Sequence, residues 1–256
     1  MSGDVAGLRV ILFGVLLLAG VVAGVQNALA GGGSFITLGA LVLSGLEPRA
    51  ANITSTIALF PGQVATGYAG RGLAAGTPRL SLAALFAISL AGGILGALLL
   101  LATPPTFFAG LVPWLVIFAT GVFAWGSFLR RPVAGAAPAG PGTAALAQFL
   151  IAIYGGYFGG GIGFLMLAAL TVAGLSVRPA SATKNVLAAT MNASAVVIFL
   201  FSRDVHWAQA VILGAGAVLG GLIGTVLLTR VNERALRIGV IVLGAALSAG
   251  LFARGH

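Results

Sequence analysis

Residues 31–54 read GGGSFITLGALVLSGLEPRAANIT, and residues 160–183 read GGIGFLMLAALTVAGLSVRPASAT. Laid over each other without a gap, at an offset of 129, they are identical at 11 of 24 positions. A composition this biased would give roughly two or three identities by chance, so the chain is a duplication. AGGILGALLL (91–100) matches LGGLIGTVLL (219–228) within one residue of the same offset, which extends the repeat through most of each half. The sequence therefore divides into a first membrane repeat, 1–129, a linker at 130–142 containing RRPVAGAAPAGPG, and a second repeat, 143–256.

The medium for which these repeats are built follows from composition. Of 256 residues, 59% are hydrophobic and 7% charged, and the mean hydropathy is +1.13; soluble domains carry roughly 25% charged residues. Apolar runs of spanning length recur along the chain and leave no room for a separate soluble domain. The net charge of +9 comes from 13 basic residues scattered mostly between those runs. That is the distribution of a membrane topology signal and excludes a nucleic-acid surface. With no cysteine and two isolated histidines, the chain offers no metal site, and no cofactor is expected. Residues 9–30 have the outline of a signal peptide, but a discarded leader would not need the counterpart this segment has later in the chain.

Five apolar segments are expected in each half, at about 8–26, 33–46, 50–69, 79–102 and 107–129, then 143–158, 162–175, 179–202, 207–229 and 234–252. The second of each set has about 14 residues, roughly 21 Å of helix, less than a hydrocarbon core. Segments two and three then form a broken or re-entrant pair. Each half makes an odd number of crossings, and the fold is all-α: a polytopic membrane protein of two inverted repeats. Taking the linker as cytoplasmic puts Arg71, Arg79, Arg130, Arg131, Arg230, Arg234 and Arg237 inside, against Arg9, Arg203 and Arg254 outside, so both termini are expected outside.

Glycine weakens a helix, so a glycine run within a membrane segment marks a break. A helix restarting at depth presents unpaired N–H groups with partial positive charge, and such backbone survives only where it lines a cavity or is buried in protein. Gly31, Gly32, Gly33 and Ser34 in the first half, and Gly159, Gly160 and Gly161 in the second, are read as half-helix openings facing an anion. Close helix packing through small residues is the alternative; duplication of the whole block favours the site.

The third segment of each half adds a polar stripe at helical spacing: Asn52, Ser55, Thr56, Gln63 and Thr66, then Ser181, Lys184, Asn185 and Asn192. Lipid satisfies none of their hydrogen bonds, so they face a partner or a cavity. Lys184 is the only lysine. A charge within a span is read as functional, with snorkelling to the interface as the alternative. Arg49 and Arg178 are repeat equivalents, read as helix-end anchors or as positive charge lining the way in. The missing carboxylates are equally informative. Asp4, Glu47, Asp204 and Glu233 all lie outside the spans, so no acidic relay is visible and an anionic substrate is indicated. No nucleophile with a base appears at depth, which argues against an intramembrane enzyme. A subunit that only anchors a partner would not need duplicated polar stripes.

YGGYFGGGIGFLMLAALTVAGL, ATKNVLAATMNASAVVIFLF and VHWAQAVILGAGAVLGGLIGTVLLTRVNERALR resemble the second half of the sulfite exporter TauE/SafE family, and AGGGSFITLGALVLSGL resembles its first-half motif. The resemblance implies a permease of the bacterial inner membrane for sulfite, a sulfonate or a related organosulfur anion. It carries TKN onto Thr183, Lys184 and Asn185. Where the family often has a proline after the first glycine motif, this chain has Gly39. The expected ligand set is Gly31, Gly32, Gly33, Ser34, Asn52, Thr54, Ser55, Gln63, Gly160, Gly161, Thr183, Lys184, Asn185 and Asn192. The partners expected are that small anion and the lipid bilayer, without nucleic acid; an ion-coupled permease for a different small organic anion is the other reading.

Overall fold

A computed structural model describes residues 2–29, 32–125, 140–227 and 233–254. Within them are ten α-helices: α1 (Ser2–Leu29), α2 (Gly33–Leu43), α3 (Pro48–Gly70), α4 (Leu82–Ala102), α5 (Pro105–Ala124), α6 (Pro141–Tyr157), α7 (Ile162–Val172), α8 (Val177–Phe199), α9 (Trp207–Leu227) and α10 (Glu233–Arg254). All ten expected segments are present, and most of the linker lies outside the described residues. Among the described residues, four stretches are long and apolar enough to cross a membrane: Val10–Asn27, Leu82–Ala102, Pro105–Ala124 and Trp207–Gly224. The protein is a polytopic, all-helical membrane protein.

The repeat recurs in backbone detail. Both α2 and α7 have 11 residues, and both α3 and α8 have 23. Each short helix begins at a left-handed glycine, Gly32 (φ 83°) or Gly161 (φ 73°), a conformation in which a Cβ would be strained. Each ends at another, Gly45 (φ 96°) or Gly174 (φ 102°). There Leu46 N–H reaches the Leu41 carbonyl and Leu175 N–H the Leu170 carbonyl, while Gly45 N–H donates to Val42 and Gly174 N–H to Thr171. This paired closure satisfies carbonyls that a helix end leaves open, and it starts α3 and α8 within four residues.

Two compact units emerge, each drawing on both halves of the sequence. The first comprises residues 1–62, 105–116 and 202–256; the second comprises 63–104 and 117–201. Helices α3 and α5 pass from one to the other just after an internal proline, Pro61 or Pro113. In the first unit α1 lies along α9: Gly20 sits against Gly216, and Gly24 against Ala217 and Gly221. Residue numbers rise together, so the helices are parallel, and the bare glycines let the backbones touch. In the second unit α4 lies along α6 in the same sense, with Gly92 against Phe149 and Ala152, and Gly96 against Ile153 and Gly156. The fourth helix of each repeat thus packs on the first helix of the other. Leu85, Ala152, Ile162, Met166, Leu170, Leu187 and Met191 form the core of the second unit; Ala23, Leu59 and Ala217 form a smaller core in the first.

Candidate functional site

The first glycine break closes on itself. Gly33 N–H, an orphan donor at the start of α2, donates to Asn27 Oδ1 at 2.8 Å. Phe35 N–H returns to the Gly32 carbonyl at 3.1 Å. Thr37 Oγ1 donates to the Ser34 carbonyl at 3.1 Å and pairs with Ser55 Oγ at 2.6 Å. Ser55 is 3% exposed and Asn52 4%. Fully buried Thr54 accepts the His206 N–H at 3.2 Å, pinning the loop before α9. Arg49 forms an ion pair with Asp204 at 2.7 Å in this unit, which fits the anchor reading. Gly31 lies outside the described residues.

At the second break the same positions hold different chemistry. By the 129 offset, Gly156 stands where Asn27 stands, Gly163 in place of Ser34, Met166 in place of Thr37, and Lys184 in place of Ser55. Gly156 has no side chain with which to cap α7. The Lys184 side chain runs over the first turn of α7 instead: a Cβ on Gly163 would lie 3.7 Å from its Cδ and 3.9 Å from its Nζ. Lys184 makes no hydrogen bond or ion pair among the described residues. None of the four carboxylates falls in the residue ranges of this unit. The ammonium and the helix N-terminus therefore bring the same sign of charge together, an arrangement that an anion stabilises.

The remaining predicted residues distribute along α8 and the end of α3. Gly160 is buried in the turn before α7. Thr183 is fully buried and holds the loop after α3, accepting the Ala75 N–H and donating to the Ala75 carbonyl, both at 2.9 Å. Asn185 is half-buried next to Lys184, Arg178 is exposed in the first turn of α8, and Asn192 is 2% exposed. Gly70 sits against Ala182, and Gly67 against Asn185, Val186 and Ala189, so the end of α3 runs antiparallel to α8. Continuing that register sets Gln63 opposite the stretch of α8 around residues 189–193. Gln63 Oε1 is buried without a hydrogen-bond partner. The structure brings Lys184 to α7, while Thr54, Thr183 and Ser55 are engaged in internal hydrogen bonds.

Sequence reasoning missed Asn27 and Thr37 as partners of the first break and Gly163 as the gap beside Lys184. All three stand at positions where the two copies of the repeat differ in polarity or size, and that contrast is the signal that marks them. A cavity of about 630 Å³ in the first unit, lined by Val42, Leu46, Glu47, Pro113, Leu251 and Phe252 among others, contains none of the predicted site residues. No cluster of His, Cys, Asp or Glu suited to a metal occurs among the described residues.

The profile of the family described as sulfite exporter TauE/SafE matches residues 16–251. "Probable membrane transporter protein YfcA" of Escherichia coli (strain K12) is 29% identical over 255 residues, covering 96% of this chain and 91% of the relative. "Probable membrane transporter protein ORF9" of Sinorhizobium sp is 30% identical over 250 residues, covering 94% and 93%. A "Probable membrane transporter protein" of Haemophilus influenzae is 26% identical over 245 residues, covering 93% of each. No solved structure matches. With helices of spanning length, a duplicated break and these relatives, the chain is a membrane transporter and belongs to the sulfite exporter TauE/SafE family.

Proposed function

We propose that the chain moves a small anion, a sulfonate, sulfite or a related oxyanion, across a bacterial cytoplasmic membrane, binding it between Lys184 and the first turn of α7. The observation that carries this reading is an ammonium lying over a helix N-terminus in a unit whose residue ranges contain no carboxylate. Two like charges are held together there, and an anion relieves both. Gly160 and Gly161 present the backbone donors, and Asn185 supplies a neutral polar contact; Asn192 on α8 and Gln63 on α3 would meet the anion elsewhere along its path. The first-half set Gly32, Gly33, Ser34, Asn52, Thr54 and Ser55 is the quieter copy of the same motif, with its polar groups turned on one another.

Inversion of the two halves is part of this reading. Helices α3 and α8 are repeat equivalents, and the end of α3 runs antiparallel to α8. Equivalent helices that run in opposite directions are what inverted repeats produce. Termini on the periplasmic side follow from the arginine distribution. Because the chain has no cysteine, single cysteines placed in the loops and tested with a membrane-impermeant maleimide read that orientation directly.

Flux of sulfite and methanesulfonate into proteoliposomes tests the function. The wild-type chain gives saturable uptake of at least one of them, and Lys184→Gln raises its half-saturation concentration steeply. Undiminished flux in the variant sinks the site, and no flux of any small oxyanion with wild-type protein sinks the substrate class.

A further inference from the structure

We infer that the Lys184 site selects singly charged anions over doubly charged anions of the same shape, a conclusion that rests on the anion reading above. The argument is an inventory of charge. Among the described residues of the second unit the basic side chains are Arg71, Arg79, Arg178 and Lys184. The three arginines are exposed at helix ends or in the loop after α3. Arg71 is further committed, stacked 3.4 Å over the Tyr68 ring and donating to the Tyr68 carbonyl at 2.8 Å. Arg178 lies six residues before Lys184, about 9 Å along the helix axis. Of these four, Lys184 alone lies next to the α7 N-terminus, so the site holds at most one side-chain cation. The helix end adds about half a charge more.

A monoanion meets this total closely. Its charge is matched by the one amine, and the α7 amides and the neutral carboxamide of Asn185 can complete its hydrogen bonds. A dianion brings a second charge with no cation left to meet it, and an uncompensated charge in a low-dielectric interior is strongly unfavourable. Size does not separate the two, because methanesulfonate and sulfate have nearly the same tetrahedral outline.

Methanesulfonate and sulfate separate charge from shape, since a methyl group replaces one charged oxygen. Binding of each to the purified full-length chain, measured by thermal shift and by competition for methanesulfonate counterflow in proteoliposomes, is expected to favour methanesulfonate by at least about tenfold. Sulfite gives an internal check: its affinity falls as pH rises through its second ionisation, while methanesulfonate, which keeps one charge throughout, binds evenly. Sulfate binding as tightly as methanesulfonate, with both lost in Lys184→Gln, overturns the charge selection and leaves the anion site standing. Binding of neither anion overturns the anion site and this inference together.

Discussion

The two glycine breaks share one backbone and differ in what their side chains do. At the first, Asn27 caps α2, and Thr37 and Ser55 satisfy each other. At the second, the equivalent positions are Gly156, Met166 and Lys184, and the positive end of α7 faces a cation in place of an acceptor. The two frames share a backbone, and a handful of side-chain differences close the first on itself while leaving the second without such partners, which is the contrast on which the proposed site rests. A repeated fold does not imply a repeated site.

The sharpest break of this comparison is Lys184→Gln. Loss of this half-buried charge contact costs about 2–3 kcal/mol, roughly a 30- to 150-fold loss of anion affinity, readable as a rise in the half-saturation concentration for flux. Next comes Gly156→Ala, which probes why the second break has no cap. The added Cβ would come within 2.9 Å of Gly93 Cα, and overpacking of this kind lowers stability by about 1–3 kcal/mol, seen as a lower Tm of the detergent-solubilised protein. Asn27→Ala removes the cap that the first break has; a loss of about 1 kcal/mol in stability with unchanged flux is expected. If that variant instead abolishes flux, the first break is more than a joint. The smallest effect belongs to Arg49 and Asp204. A double-mutant cycle through Arg49→Ala and Asp204→Ala, read as Tm, should give a coupling of about 1 kcal/mol or less for this partly exposed pair.

Much of the architecture is legible in the sequence because a spanning helix must be a long apolar run, and because the 129-residue offset doubles every signal. Gly32 and Gly161 read as breaks from the sequence alone, since only glycine accepts a left-handed backbone without strain. Lys184 stands out for the same kind of reason, as a charge where lipid tolerates none. Hydrogen-bond partnership is not legible. Thr54 and Thr183 lie next to polar stripes and read as ligands, yet their hydroxyls hold loops some 150 and 110 residues away in sequence, and periodicity carries no information about such distant partners. The sharing of helices between repeats is hidden for a related cause: the small residues of α4 fit α6 and those of α9 fit α1, but a glycine does not say which backbone it will touch.

That sharing has a consequence for how the protein is made. Helix α1 leaves the ribosome well before its parallel neighbour α9, with seven helices synthesised between them. Helix α4 likewise waits for α6. Neither unit can be completed by its own half, so a gene cut within the 126–139 segment should yield two fragments that are degraded when expressed singly and that rescue each other when expressed together. Until α9 is inserted, the bare glycine edge of α1 has to wait without the partner it is shaped for.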